Sequence, residues 1–335
     1  MTIVNVRPGT RGSLRCAAVF ALALAAAPPA AAAGTGQIIV SNEKSSTLTV
    51  LDGKTDAVVK EVQTCRRPRG MRFSSDRTQF YVACADDDQI AVYDVATFEL
   101  LERIRGVEEP ETFDLHPDGK RLFISNEEDA AMTVVDLTTR QIVGDTETGE
   151  EPEGVLITPD GATAYIASEA ANLVHAVDTE TLEVTADILV GTRPRRLALS
   201  PDGRELWVSV ELAGMVDIID TQANKVIASI EFLPRGFRRN EVTPVDLLLT
   251  RDGRTAFVAL GRANHVAIVD VASRQVQDYL LVGRRPWGLA LSRDETRLYV
   301  ANGLSDDLSV IDVAARGVVK SVPVGLVPYG ILIDD

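Results

Sequence analysis

One unit of about 42 residues recurs along nearly the whole chain. Each copy opens with a proline, and these prolines are spaced by 42 residues except for one interval of 50. An aspartate that follows an alternating apolar run repeats with the same spacings, so two separate markers give the same period. A period near 40 residues built from short apolar runs is typical of propeller blades. The prolines are Pro68, Pro110, Pro152, Pro194, Pro244, Pro286 and Pro328, and the aspartates are Asp52, Asp94, Asp136, Asp178, Asp220, Asp270 and Asp312.

Each copy predicts four short strands, which we call a to d. The proline leads into an apolar run, such as residues 197–199, that suits a strand buried on both faces. A Pro-Asp-Gly turn, such as residues 201–203, then reverses the chain into strand b. Strand c alternates and ends at the repeated aspartate, which is predicted to cap the turn into strand d. Strand d is the most polar and is predicted to form the exposed outer edge.

The two ends of the repeat region predict how the ring closes. Residues 37–42 match strand b, and residues 329–333, after the last proline, match strand a. Six whole repeats and one split repeat therefore predict a single all-β domain over residues 37–335. This domain is a seven-bladed propeller with four-stranded antiparallel blades, in which the C-terminal strand completes the first blade and removes free edges.

The first 36 residues differ from the repeat. Arg7, Arg11 and Arg15 precede an apolar run over residues 16–27 that is too short to span a bilayer, and residues 31–33 are small alanines. This order of segments predicts a Sec-type signal peptide with a short linker over residues 1–36. The protein is accordingly expected to be periplasmic or secreted, with no membrane span.

Two cysteines, Cys65 and Cys84, lie outside the predicted signal peptide. They fall in the same repeat, just before strand a and just after strand b. An even count in an exported chain favours a disulfide. Two unpaired thiols in a packed blade are the alternative.

The charge balance argues against nucleic acid as a partner. Asp and Glu number 49 against 34 Lys and Arg, which gives a formal net charge of -15. Phosphate backbones are bound by basic surfaces, and a strongly acidic chain lacks one.

The residues that follow the prolines vary in charge from copy to copy. In a propeller these positions ring one end of the central channel, so they predict a mouth that binds a small polar or anionic ligand, or a partner. Free variation of exposed loops is the alternative. The predicted mouth residues are Arg69, Glu111, Glu153, Arg195, Asp246, Trp287 and Tyr329.

Two further features stand out against the repeat. The long interval places 8 extra residues between Glu231 and Val242, a basic and aromatic insertion that predicts a lid or partner-docking loop, or else a neutral insertion. The insertion residues singled out are Arg235, Phe237, Arg238 and Arg239.

Arg72 and Asp114 replace apolar residues in neighbouring strands a, which predicts an interblade salt bridge.

Catalytic and metal motifs are missing from the sequence. No Cys-x-x-Cys-His motif for c-type haem occurs. His116, His175 and His265 fall at three different repeat positions, too scattered for a copper site. Acidic b–c loops match no known calcium loop and are expected to form a solvated rim. No catalytic residue, no metal ligand and no cofactor are predicted.

The pattern at Pro286-Trp287-Gly288 and Tyr299-Val300-Ala301-Asn302 resembles the YVTN-family β-propeller repeat. The seven-copy exported form is similar to propellers associated with pyrroloquinoline quinone (PQQ)-dependent alcohol catabolism. This resemblance covers residues 37–335 and implies a periplasmic accessory protein encoded near a quinoprotein dehydrogenase or transport system. Propellers that hold the quinone as a catalytic cofactor repeat a tryptophan motif in every blade, whereas this chain has only Trp207 and Trp287.

Two functions are therefore carried forward. The first is a non-enzymatic binding protein whose partner is a small polar molecule or a periplasmic dehydrogenase, cytochrome or transporter component. The second is a lactonase-like hydrolase that uses Glu111 and Glu153 with a divalent cation in the channel.

Overall fold

Residues 34–335 fold into seven four-stranded antiparallel sheets, in a computed structural model that describes residues 1–5 and 34–335. The innermost strands of neighbouring sheets contact one another all the way round, so the sheets form a closed ring of blades. The predicted seven-bladed fold is confirmed. Most of the predicted signal peptide lies outside the described residues. Within the described ranges, no helix is long and apolar enough to cross a membrane.

The strands are six or seven residues long, with one shorter exception in the sixth blade. In the first half of the chain they are β1 (Gln37–Asn42), β2 (Thr47–Asp52), β3 (Ala57–Gln63), β4 (Pro68–Phe73), β5 (Gln79–Cys84), β6 (Gln89–Asp94), β7 (Leu100–Arg105), β8 (Pro110–Leu115), β9 (Arg121–Asn126), β10 (Ala131–Asp136), β11 (Gln141–Glu147), β12 (Pro152–Ile157), β13 (Thr163–Ser168), β14 (Leu173–Asp178) and β15 (Val184–Leu189). In the second half they are β16 (Pro194–Leu199), β17 (Glu205–Val210), β18 (Met215–Asp220), β19 (Lys225–Glu231), β20 (Leu247–Leu249), β21 (Thr255–Leu260), β22 (His265–Asp270), β23 (Gln275–Leu281), β24 (Pro286–Leu291), β25 (Arg297–Asn302), β26 (Asp307–Asp312), β27 (Gly317–Pro323) and β28 (Pro328–Asp334).

Single turns of 3-10 helix interrupt three of the connections. They span Ala85–Asp87, Arg239–Glu241 and Gly261–Ala263.

Blade 1 is closed by the two ends of the propeller domain. Its strand order is β28-β1-β2-β3, and β28 pairs antiparallel with β1, from Gln37 opposite Asp334 to Asn42 opposite Pro328. The Asp334 carboxylate accepts hydrogen bonds from the Thr35 amide at 2.7 Å and from Arg77 of blade 2 at 2.8 Å. The predicted closure is therefore confirmed, and an ion pair to the next blade reinforces it.

Blades 2 to 7 follow in chain order, each running from an inner strand a to an outer strand d. Strands b and c are buried almost throughout, as in β5 and β6, whereas strand d is largely exposed, as in β3. The polar outer edge is thus where the sequence predicts it.

The apolar core is divided among the interfaces between blades. Within residues 34–335 there are seven buried clusters, one at each interface between neighbouring blades. The largest fully buried side chain, Trp207, packs between blades 5 and 6. Because each blade is sandwiched by two neighbours, most of the apolar burial depends on a complete ring.

The repeated aspartates cap the c–d turns. In blade 2, Asp94 Oδ1 accepts hydrogen bonds from the amides of Ala96 at 3.0 Å and Thr97 at 2.8 Å. These bonds, first that from Thr97, lower the pKa of the Asp94 carboxyl. The other six repeated aspartates accept equivalent bonds.

Blade 2 also carries a disulfide. Cys65 is joined to Cys84, 19 positions later in the sequence, with their Cα atoms 5.6 Å apart. The bond ties the start of strand a to the end of strand b at the same edge of the blade.

Candidate functional site

The residues after the seven prolines form one ring of side chains, which we call the channel layer. It lies near the upper face, the end of the propeller where the d–a connections and b–c loops meet. Arg69, Glu111, Glu153 and Tyr329 are at most 6% exposed. Most of the channel layer is thus buried and its charged members pair with one another, whereas the sequence predicts an open mouth. Its members are Arg69, Glu111, Glu153, Arg195, Val245, Trp287 and Tyr329.

Glu153 is the centre of this layer. Its carboxylate accepts hydrogen bonds from Arg195 at 2.7 Å, from Arg196 at 2.9 Å and from Arg69 at 3.4 Å. Burial alone raises the pKa of Glu153, but the charges of the three arginines outweigh it and hold that pKa far below its usual range. Glu153 is therefore ionised and engaged on both oxygens.

Tyr329 and Arg196 bridge the channel. Arg196 starts on β16 of blade 5 and donates a hydrogen bond to Tyr329 Oη on β28 of blade 1, three blades away in a ring of seven. The guanidinium carbons of Arg69 and Arg196 lie 4.2 and 5.4 Å from the Tyr329 ring centroid, and Trp287 meets the ring edge-on at 5.8 Å. Burial raises the pKa of Tyr329 to about 12, so the phenol is protonated at neutral pH.

Arg196 occupies a position that is glycine in four other blades, including Gly154 and Gly288. A Cβ at either glycine would collide with the carbonyl of the next inner strand, at Arg195 and Tyr329 respectively. Close approach of the inner strands thus requires glycine at most of these positions. Blade 5 places its arginine there and directs it across the channel instead.

A second set of glutamates, which the sequence interpretation missed as a group, surrounds the channel layer. Glu169 forms ion pairs with Arg193 at 2.5 Å and with Arg195 at 2.6 Å, and Glu211 accepts a hydrogen bond from Arg285 at 2.9 Å. The sequence does contain a signal for this set. Four blades carry a glutamate directly after strand b, where the other three blades carry alanine or glycine. The four are Glu43, Glu127, Glu169 and Glu211.

Together these residues form the arginine–glutamate cluster, with seven glutamates against six arginines. Burial, and then the charge of Glu153, raise the pKa of Glu169 to about 8 against the pull of Arg195 and Arg193. Burial also raises the pKa of Glu111. Carboxylates outnumber arginines in this buried cluster, which favours a retained proton near neutral pH. The members are Arg67, Arg69, Arg193, Arg195, Arg196 and Arg285 with Glu43, Glu109, Glu111, Glu127, Glu153, Glu169 and Glu211.

Three carboxylates of the cluster approach the geometry of a metal site. Oxygens of Glu109, Glu111 and Glu127 lie within 4.8 Å of one another. The Arg67 guanidinium pairs with Glu109, reaches Glu111 at 3.1 Å and reaches Glu127 at 3.8 Å. A cationic side chain already neutralises these oxygens, so the residues do not fit a metal ion while Arg67 keeps this position.

Below the channel layer, a cavity of about 400 Å³ extends toward the lower face, where the a–b and c–d turns lie. Its ceiling includes Arg196, Trp287 and Tyr329, and its walls include Arg72 and Asp246. Each blade adds the apolar residue at the third position after its proline. These are Met71, Phe113, Val155, Leu197, Leu247, Leu289 and Ile331.

Asp246 plays a structural part in this wall. Its two carboxylate oxygens accept hydrogen bonds from the amides of Leu247 at 2.9 Å and Leu289 at 2.8 Å. Asp246 thus joins blade 6 to blade 7, and burial raises its pKa.

The interblade pair of Arg72 and Asp114 is present at 3.3 Å. Asp114 also accepts a hydrogen bond from the Ile157 amide of blade 4 at 3.0 Å. The Arg72 side chain remains 50% exposed. Asp114 therefore holds both the Ile157 amide and the Arg72 guanidinium. The exposed part of Arg72 leaves hydrogen-bond donors facing the cavity.

The insertion packs away from the channel layer. Phe237 stacks edge-on against His265 at 5.5 Å, and the Leu233 amide donates to Tyr279 Oη at 2.9 Å, both on outer strands of blade 6. Arg239 pairs with Glu231 at 2.6 Å, and Arg235 and Arg238 are exposed. The structure thus does not bring the insertion together with the predicted mouth residues.

Comparisons with known proteins agree with this architecture. A model of the family described as "Lactonase, 7-bladed beta-propeller" matches residues 175–323, less than half of the chain. No curated protein matches the sequence.

Solved structures resemble the whole propeller. The periplasmic gluconolactonase PpgL of Pseudomonas aeruginosa is 22% identical, with a TM-score of 0.76 over 89% of this chain and 99% of that one. The hydrazine synthase of Kuenenia stuttgartiensis is 22% identical, with a TM-score of 0.70 over 78% and 88%. A functionally unknown protein of Desulfotomaculum acetoxidans is 17% identical, with a TM-score of 0.76 over 89% and 99%. At these identities the likeness establishes the fold alone.

Proposed function

We propose that this protein is an exported, non-enzymatic propeller that binds a small polar molecule in the cavity below the channel layer. The observation that carries the proposal is the cavity itself, whose volume lies in the range of small-molecule sites. The seven inner strands supply the walls of the cavity, and Arg72, Arg196 and Tyr329 supply a few oriented polar groups. The local charges are balanced by Asp114 and Glu153, which favours a neutral polar ligand over a strong anion.

Export to the periplasm is part of the proposal. It is supported by the basic and apolar start of the sequence and by the disulfide between Cys65 and Cys84. We also propose an association with a PQQ-dependent alcohol-oxidising or transport system. The partner would be a dehydrogenase, a cytochrome or a transporter component, and this part rests on the sequence resemblance alone.

Binding is tested by calorimetric titration and thermal shift with gluconolactone, gluconate and pyrroloquinoline quinone. A ligand of the folded state raises the melting temperature by mass action. Ala198→Phe fills the cavity wall and is expected to abolish the shift while the unliganded protein still melts cooperatively. No shift with any probe, or an equal shift in the filled variant, contradicts this site.

The second candidate is a metal-dependent lactonase, which the partial family match and the likeness to a gluconolactonase favour. Against it, the two carboxylates it needs, Glu111 and Glu153, share Arg69 between them. We expect elemental analysis to find no bound metal and gluconolactone to hydrolyse no faster with protein than without. Hydrolysis that is lost with a chelator and in Glu111→Gln replaces the binding proposal with this one.

A further inference from the structure

The upper face carries opposite charge on its two sides. The connections around blade 3, residues 85–88, 106–109, 127–130 and 148–151, hold ten acidic residues and no basic one. We call them the acidic sector. The connections around blade 6 hold seven arginines and three acids, and we call them the basic sector; they are residues 190–193, 211–214, 232–243, 261–264, 282–285 and 303–306.

Many charges of both sectors have no partner within the chain. Five exposed carboxylates of the acidic sector form no ion pair with any residue in the described ranges. They are Asp88, Glu108, Glu128, Asp129 and Glu150. Four exposed arginines of the basic sector are likewise free of ion pairs across residues 34–335. They are Arg235, Arg238, Arg262 and Arg284.

Crowding of like charge is visible within the acidic sector. Repulsion by the nearby Asp129 carboxylate is the main reason that the pKa of Glu108 is raised. Uncompensated charge of one sign on a surface is relieved when a partner of the opposite sign binds to it. Both signs occur here on one face, three blades apart in a ring of seven.

We propose that the upper face is the interface of a head-to-head dimer of this chain. A two-fold axis in the plane of that face, along the border between the sectors, places the acidic sector of each copy over the basic sector of the other. Leu326 lies in the connection just past the basic sector, close to this axis, and is 53% exposed. Residues beside a two-fold axis meet their own copies, so Leu326 of each chain packs against Leu326 of the other.

The dimer gives the basic insertion a role that does not depend on the channel. Arg235 and Arg238 extend the basic sector at its outer part, where they face the acidic loops of the second copy. The cavity toward the lower face stays accessible, so the dimer and the ligand site are independent.

Light scattering after size exclusion tests the dimer on the full folded protein. Electrostatic complementarity is screened by salt, since the Debye length falls from about 10 Å at 0.1 M to about 3 Å at 1 M. We expect a dimer at low salt and a monomer at high salt. A wild-type monomer at every salt and protein concentration overturns the proposal and leaves a different protein as the occupant.

Charge reversal distinguishes this interface from any other. The double variants Glu128→Arg with Asp129→Arg, and Arg235→Glu with Arg238→Glu, are each expected to weaken self-association by about tenfold or more. Mixing the two variants pairs a basic face with an acidic one and restores the dimer. Arg254→Glu on the lower face is the control and keeps it. Variants that remain dimeric alone, or a mixture that stays monomeric, contradict the arrangement.

Discussion

Two layers of side chains on the same seven inner strands differ in how much they vary. One position after the proline lies the channel layer, with two arginines, two glutamates, one valine and two aromatic residues. Two positions further along, every blade places an apolar side chain. The backbone course is the same in both layers, so the second layer carries the fold and the first can change from blade to blade.

Loss of strand β28 removes both layers from blade 1 and should have the largest effect. A chain that stops after Val327 leaves the inner edge of β1 unpaired and opens the apolar cluster between blades 7 and 1. We expect insolubility or loss of a single melting transition, measured by circular dichroism. A chain that ends at Asp334 retains every strand and should melt like the full protein; equal melting of the shorter chain would argue against closure by β28.

Truncating an apolar side chain at the third position after a proline should have the second largest effect. Phe113 is 3% exposed in the cluster between blades 2 and 3. Phe113→Ala should lower the free energy of unfolding by about 4 kcal/mol, from lost burial and the cavity that remains. Urea denaturation measures it, with Phe113→Leu as the milder control at about 1 kcal/mol. Similar losses in both variants would mean that this layer is loosely packed.

A substitution in the channel layer should lower the free energy of unfolding slightly less than Phe113→Ala does. It should also change how that free energy depends on pH. Glu153→Gln leaves Arg69, Arg195 and Arg196 without their shared charge, and breaking a buried pair costs about 3 kcal/mol. The same urea experiment at several pH values separates the layers. Phe113→Ala should shift the stability curve uniformly, whereas Glu153→Gln should change its shape; parallel curves would remove the distinction.

The smallest expected effect is a pH slope. With the pKa of Glu169 raised to about 8, the folded chain keeps a proton that the unfolded chain loses above its ordinary value of 4.5. This group therefore makes the free energy of unfolding fall gradually as pH rises from 4.5 to about 8. Glu169→Gln cannot titrate and should lack this component.

An unchanged slope in Glu169→Gln would place the retained proton elsewhere in the cluster. Glu180→Gln is a suitable control, because Glu180 lies on the exposed rim with 74% of its side chain accessible.

The sequence predicts the fold well and the site only in part. Prolines, aspartates and Pro-Asp-Gly turns act within one repeat, so their spacing is enough to number the blades and to pair the ends. Glu153 meets arginines from blades 2 and 5, and Tyr329 meets one from the opposite side of the ring. Such partners depend on the radius of the ring and on side-chain length, which repeat spacing does not contain.

The insertion illustrates the same limit. Its position on a d–a connection is evident from the sequence, and that position alone suggests a lid over the channel. Its direction is decided by Phe237, which packs against blade 6 beside His265.

The pairing of β1 with β28 has a consequence for how the protein is made. The inner neighbour of strand β1 is β28, which lies nearly 300 positions later in the sequence and is synthesised last. Any product interrupted before Pro328 keeps that edge bare, and exposed edges attract other chains and proteases. We therefore expect a chain that lacks β28 to be cut by proteases faster than the full-length protein.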